Sequence, residues 1–247
     1  MSVSVVIPAL NEEEPIAAVV RDCFASGVPG EIIVVDNGST DRTAENARSA
    51  GAKVVSEPTR GYGRACAAGV RALSPEYDIV LFLDGDGSDC PEFIPQLVEP
   101  IARGTHDFVI GSRTRGQREP GSMNLQQIFA GRFAGWLLSI LYAVHYTDMS
   151  PFRAIRREMF DKLGMREKTY GWNLEMQMRV AAAGLRICEV PVDHRCRRGG
   201  VSKVSGNLVA GFSAAWKIAT TFVRLAVTLR RPHAAAARQQ PETIKSR

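Results

Sequence analysis

Short apolar runs recur along the first half of the chain, and each ends in a polar cluster. Val3 to Ile7 stops at Pro8, Glu31 to Val35 at Asp36, and Ile79 to Leu83 at Asp84. Runs of this length bounded by turn residues read as strands buried on both faces. Lys53 to Ser56 and Phe108 to Ile110 read as two more strands. Helical segments fall between them. One follows Asn11 and the acidic run Glu12 to Glu14 and extends to Cys23, with Asn11 as its cap and Pro15 in its first turn. Others run from the Ser39-Thr40-Asp41 cluster to Ser49, within Gly61 to Leu73, and from Pro91 to Ala102. Strands alternating with helices at this spacing predict βαβ units, hence an α/β fold with a mainly parallel sheet.

The second half is less regular. Arg115 to Met123 reads as a loop, Leu125 to Val144 as a mostly apolar helix and Phe152 to Ile155 as a strand. Asn173 to Ala183 reads as a helix and Arg186 to Val190 as a strand. Leu208 to Leu229 is amphipathic: Leu208, Phe212, Ala215, Ala219, Phe222, Ala226 and Leu229 share one face, and Lys217 and Arg224 lie opposite. Two readings stand for it, packing on the domain or lying in a membrane interface. The remainder has no apolar face to bury and reads as disordered. The expected organisation is a catalytic domain over 1–206, the amphipathic helix over 207–231 and a tail over 232–247.

Charge and cysteine content narrow the setting. The net charge is +5 and the pI about 9.1. The excess collects between Arg195 and Lys203 and beyond Arg224, which suits an anionic ligand or a membrane surface rather than nucleic acid. The five cysteines are scattered without a CxxC pair, which points to free thiols in a reducing compartment. No secretory leader pattern opens the chain, and no apolar run is long enough to oblige a membrane span. The expected location is cytoplasmic, peripheral on the membrane face.

Candidate chemistry centres on Asp84-Gly85-Asp86. Two carboxylates at the end of a buried strand, separated by a small spacer, can share one hard cation, and with a nucleotide diphosphate they suit Mg²⁺ or Mn²⁺. The bland alternative is an acidic loop capping the next helix. Glu12, Asp36 and Asp84 all follow strands of one sheet, so their clusters should converge on a nucleotide. Arg60-Gly61-Tyr62-Gly63 resembles a dinucleotide fingerprint, but Cys66 stands at the third glycine position and NAD binding is rejected. A cationic glycine loop beside a phosphate is the reading retained. Arg195, Arg197, Arg198 and Lys203, with Ser202, suit a phosphate or form a solvated loop. Asp148 and Glu175 are site carboxylates or, equally, caps and ion-pair partners. The four histidines show no ligand spacing.

Ordered motifs then carry a resemblance. VVIPALNEE, VVDNGSTD, RGYGRACAAG, FLDGDGSDCPE and VIGSR are similar to the inverting family 2 glycosyltransferases of GT-A fold. TDMSPFRAIRRE, YGWNLEMQMR and EVPVDHRCRRGGVSK resemble the dolichol-phosphate mannosyltransferase-like branch. The resemblance spans about residues 3–206. It implies Pro8, Ala9, Glu12, Asp36 and Gly63 around the donor nucleotide, and Asp84 and Asp86 on metal and diphosphate. Arg113, Arg195, Arg197, Ser202 and Lys203 would lie around phosphates, with Asp86, Asp148 and Glu175 as the catalytic set. It implies a nucleotide-diphosphate sugar as donor and a polyprenyl phosphate as acceptor. A soluble hydroxyl acceptor, or sugar-nucleotide binding without turnover, are the alternatives. Three departures stand out: Asn37 for a frequent second Asp, Ser88 for a metal-binding Gln, and Pro151 for a Gly.

Overall fold

The structure, a computed structural model, describes residues 1–123, 125–199, 219–229 and 242–243, and of 125–127, 129, 130 and 242–243 the backbone alone. The strands are β1 (Val3–Ala9), β2 (Pro29–Asp36), β3 (Lys53–Ser56), β4 (Ile79–Phe82), β5 (Phe108–Ser112), β6 (Arg153–Arg156), β7 (Ile187–Pro191) and β8 (Glu242–Thr243). The helices are α1 (Ile16–Ala25), α2 (Thr43–Ser49), α3 (Tyr62–Arg71), α4 (Ile94–Ala102), α5 (Leu125–Tyr142), α6 (Arg157–Leu163) and α7 (Trp172–Ala182). A single 3₁₀ turn, Pro91–Phe93, leads into α4.

The strands form one sheet in the order β3-β2-β1-β4-β6-β5-β7-β8. Among the described strands only β6 runs against its neighbours. The apolar runs fill the centre because both sheet faces are covered. Val5, Ile7, Ile32, Val34, Ile79 and Leu81 face α1 and α4, while Val6, Ile33, Val35, Val80 and Phe82 face α3 and α7. β8 lies within the stretch expected to be disordered and pairs in parallel with β7 at Cys188 and Glu189.

Two local expectations change. Asn11 does not cap α1, which starts at Ile16 after Pro15. Asn11 instead takes a left-handed φ of 53°, which Asn tolerates better than most residues. There its side chain accepts from Thr40 N at 2.8 Å and its own N donates to Ser39 Oγ at 3.0 Å, tying the ends of β1 and β2 together. α6, which follows β6 without a loop, has too short an apolar pattern to stand out in sequence.

The amphipathic stretch is described over 219–229, where it is helical. Phe222, Leu225, Ala226 and Leu229 pack on the core of the domain, so this part of the apolar face is occupied within the protein. Residues 208–218 of that stretch lie outside the described residues.

Candidate active site

β1 lies between β2 and β4, so the direction of strand addition reverses beside it. Open α/β sheets bind ligands beyond the carboxyl ends of strands at such a reversal. The register carries Ala9 beside Asp36 and Val6 beside Phe82, so the segments after β1, β2 and β4 open on one edge. Pro8, Ala9, Glu12, Asp36, Asp84 and Asp86 are thereby brought together, as the sequence implies.

Asp84 is held from two sides. Its Oδ1 accepts from the Tyr62 hydroxyl at 3.0 Å, and its N donates to Asp89 Oδ2 at 3.0 Å. Burial pushes the Asp84 carboxyl up, and Asp89 and Asp86 add to it by repulsion. Burial raises Asp89 as well. Asp86 Oδ1 accepts from Ser88 N at 2.9 Å and Ser88 Oγ at 2.6 Å, so Ser88 orients this carboxylate. Asp89 Oδ1 is buried and has no hydrogen-bond partner among the described residues. It lies 3.9 Å from His194 Nδ1, too far for a hydrogen bond. His194 is itself neutral, because burial lowers its pKa to about 4, with Arg113 contributing.

These observations fit a divalent cation. Repelling carboxylates with raised pKa values and an orphaned buried oxygen all gain from a positive charge. Among the described residues no group of three or more His, Cys, Asp or Glu could hold a metal by itself. The set therefore suits an ion that completes its shell with substrate oxygens, as Mg²⁺ does on one or two carboxylates plus phosphate.

The basic segment after β7 closes this edge. Arg195 N donates to Ser88 O and Arg198 N to Asp86 O, at 2.9 and 3.0 Å. Arg197 Nη2 donates to Glu12 Oε1 at 2.8 Å, and its Nη1 lies 3.5 Å from Asp86 Oδ2. Of the expected phosphate-contacting side chains among the described residues, Arg197 is the one that pairs directly with Asp86 and Glu12. The Arg195 side chain pairs with Glu92 at the helical turn before α4. Ser202 and Lys203 lie outside the described residues. Asp36 Oδ1 accepts from Ser39 N at 3.0 Å, the turn role weighed for it.

Four other expected site residues are engaged in contacts within the fold. Arg113 is locked to Asp148: its Nε and Nη2 donate to Oδ2 and Oδ1 at 2.8 and 2.9 Å, and its N donates to Oδ2 at 2.9 Å. Burial alone would raise the Asp148 carboxyl, but the Arg113 charge outweighs it and leaves it below the ordinary range. Asp148 Oδ1 also accepts from Met149 N at 2.7 Å. Glu175 is fully buried. Its Oε2 accepts from Arg166 N and Glu167 N at 2.9 and 2.6 Å, and its Oε1 from Arg179 Nε at 2.9 Å. Neither carboxylate has an exposed oxygen, and both form the ion pairs that stood beside a catalytic role as the alternative reading. Gly63 is a packing residue, since a Cβ there would overlap the Glu167 carbonyl.

Sequence reasoning missed Tyr62, Asp89 and Arg153. Asp89 follows Asp84 by five positions, and that acidic spacing was the available signal. Arg153 is wholly buried in β6, donating to Asn173 O at 2.9 Å and to Ser150 O. Asn37 explains one departure: its amide donates to Glu57 O and Thr59 O at 2.7 and 2.9 Å. An ionised Asp has no proton to donate there.

The sheet order, the acidic edge and the covering helices match a known family. The model of glycosyl transferase family 2 fits residues 4–164. The chain belongs to that family. An uncharacterized glycosyltransferase of Mycobacterium tuberculosis is 38% identical over 224 residues, covering 88% of this chain and 97% of its own. An undecaprenyl-phosphate mannosyltransferase of Micrococcus luteus is 32% identical over 241 residues, covering 88% and 97%. A dolichyl-phosphate hexose transferase of Haloferax volcanii is 36% identical over 200 residues, covering 79% and 84%. Among solved structures, the glucosyl-3-phosphoglycerate synthase of Mycobacterium tuberculosis superposes with a TM-score of 0.71 at 26% identity, covering 92% of this chain and 80% of that one. It has also been solved with Mn²⁺ and UDP-glucose. This glycosyltransferase has the GT-A fold, and none of its described helices is long and apolar enough to cross a membrane.

Proposed function

We propose that this family 2 glycosyltransferase moves a hexose from a nucleoside-diphosphate sugar to a polyprenyl phosphate, inverting the anomeric carbon. The observation that carries the acceptor class is the commitment of Asp148 and Glu175. Every oxygen of both accepts internal hydrogen bonds. A sugar hydroxyl needs a base to take its proton. A phosphomonoester, with a second pKa of about 6, is already anionic at neutral pH and needs cations instead. The names of the relatives from Micrococcus and Haloferax support the same acceptor.

In this reading Pro8, Ala9, Glu12 and Asp36 line the nucleoside, and Asp84 and Asp86 hold Mg²⁺ or Mn²⁺. A cation held there would supply positive charge against the leaving diphosphate. Arg197, seated between Glu12 and Asp86, orients the diphosphate and offsets repulsion from the incoming phosphate. An acceptor oxygen bonds to the anomeric carbon as its bond to the diphosphate breaks, and the diphosphate departs with the electron pair. Ser202 and Lys203 would meet the acceptor phosphate.

A lipid acceptor also needs an apolar surface near the site. α5 packs Gly131 towards Asp148 and exposes Phe133, Trp136 and Ile140 on its opposite side. Peripheral membrane contact through this face accords with a cytoplasmic location. The second reading, a soluble acceptor that carries its own phosphate, is favoured by the likeness to glucosyl-3-phosphoglycerate synthase. Turnover of GDP-, UDP- and dTDP-hexoses with undecaprenyl phosphate and Mn²⁺ tests the proposal. Lipid-linked sugar formed from one of them, and lost in EDTA, supports it; no lipid product from any contradicts it.

A further inference from the structure

Residues 166–169 form a junction between three elements. From below, Glu175 of α7 accepts from the amides of Arg166 and Glu167. From the side, the helical residues 219–229 grip the Glu167 carboxylate: Arg224 Nη2 donates to Oε2 at 2.7 Å and Thr221 Oγ1 at 3.2 Å. The other oxygen, Oε1, accepts from Thr169 N at 3.2 Å and Thr169 Oγ1 at 2.9 Å, which shapes the turn.

The third element is the start of α3. Arg64 N donates to Lys168 O at 3.1 Å. Gly61 and Gly63 let the two backbones touch, because a Cβ on either would overlap the carbonyl of Lys168 or Glu167. Gly61 also has a φ of 151°, which other residues rarely adopt. From the opposite side Asn37 Oδ1 accepts from Gly61 N at 2.7 Å. Tyr62, between the two glycines, is thus fixed on both flanks, and its hydroxyl donates to Asp84 Oδ1 at 3.0 Å. The Gly-Tyr-Gly motif is therefore a seat for one tyrosine.

We propose that Tyr62 is a positioning residue for Asp84, and that Arg224 acts on the metal carboxylate through Glu167, the 166–168 backbone and Tyr62. The inference rests on the reading of Asp84 as a metal ligand. Tyr62 occupies Oδ1, so the other oxygen of Asp84 would be the one to hold the cation. The C-terminal helix then sets the affinity of a site it does not touch. Partners that orient metal ligands commonly contribute 10–100-fold to metal affinity. Arg224 is exposed and Glu167 buried in this pair, and Thr221 and Thr169 still donate to the Glu167 carboxylate when Arg224 is replaced, so the variant is expected to stay folded.

The test is Mn²⁺ binding to the full chain with saturating UDP, and in a separate series GDP, followed by the EPR signal of free Mn²⁺. Tyr62→Phe is expected to weaken Mn²⁺ roughly 10–100-fold, and Arg224→Met to weaken it less, with Arg224→Lys restoring most of the loss. The double variant should bind no more weakly than Tyr62→Phe alone, because both substitutions break one chain of contacts. Thermal unfolding of each variant checks that it is folded. Unchanged Mn²⁺ affinity in Tyr62→Phe, or additive losses in the double variant, would overturn the relay while leaving the metal reading intact. Wild-type protein that takes up no Mn²⁺ with either nucleotide would overturn the metal reading, and the relay with it.

Discussion

Arg197 Nη2 donates to Glu12 Oε1 at 2.8 Å, joining the basic segment after β7 to the loop after β1. The same guanidinium approaches Asp86. A residue expected to serve the acceptor therefore also touches two residues of the donor side. Arg197→Ala should weaken nucleotide diphosphate binding as well as raise the acceptor KM. A hydrogen bond between charged groups contributes about 1.5–3 kcal/mol, so the donor Kd should rise about tenfold or more by calorimetry. Donor affinity equal to wild type would confine Arg197 to the acceptor.

Asp86→Asn should damage turnover far more than folding. Its carboxylate is half buried and oriented by Ser88. Removing charge stabilisation from the transition state commonly costs on the order of 10²–10³ in kcat. Steady-state kinetics beside a thermal melt separates the two effects. A kcat within a few-fold of wild type would remove Asp86 from the chemistry.

The raised Asp84 carboxyl makes stability pH-dependent. Burial, then Asp89 and Asp86, push it from the ordinary value to about 8. The native state thus holds this proton where the unfolded chain has already released it. The stability it contributes is complete below about pH 4 and is lost as pH rises towards 8. The Tm of wild type relative to Asp84→Asn should fall between pH 5 and pH 8, at about 2–4 °C per kcal/mol. Mn²⁺ with nucleotide should restore it at pH 8 in wild type alone. A difference that stays flat with pH would show that Asp84 is an ordinary carboxylate.

Glu175→Gln should behave as a stability variant. Glu175 accepts two backbone amides and Arg179 in a fully buried site. Gln keeps one acceptor oxygen but loses the charge, and breaking a buried pair by removing one partner costs about 3–5 kcal/mol. Denaturant melts should register that loss. The kcat of the folded fraction should drop by less than the roughly 10²–10⁴-fold typical of a lost general base. A dead enzyme with a normal melt would restore Glu175 as the base.

The sheet was legible because each central strand is a continuous apolar run, and such runs have one stable home between two layers of helices. The acidic edge was legible for the same reason: Asp36 and Asp84 follow directly on buried strands. What remained hidden depends on contacts far apart in sequence. Nothing local distinguishes Glu175, which holds the turn of residues 166–167, from a catalytic carboxylate. Nothing local shows that Arg113 is locked to Asp148, 35 positions away. The role of Gly61 and Gly63 emerges only with the 167–168 backbone against them. Along the helix over 219–229 the periodicity shows an apolar face but not its neighbour, and Phe222, Leu225 and Leu229 turn out to face the core.

Transfer to a lipid phosphate at the Asp84–Asp86 edge can be set directly against transfer to a soluble acceptor. The most direct measurement offers the enzyme undecaprenyl phosphate and 3-phosphoglycerate together, with the radiolabelled nucleotide hexose it turns over and Mn²⁺. The label is then partitioned between organic and aqueous phases. Label is expected in the organic phase, abolished by Asp86→Asn and by EDTA, if the lipid phosphate is the acceptor. Label confined to a sugar–phosphoglycerate product in water would contradict it and establish a hydroxyl acceptor.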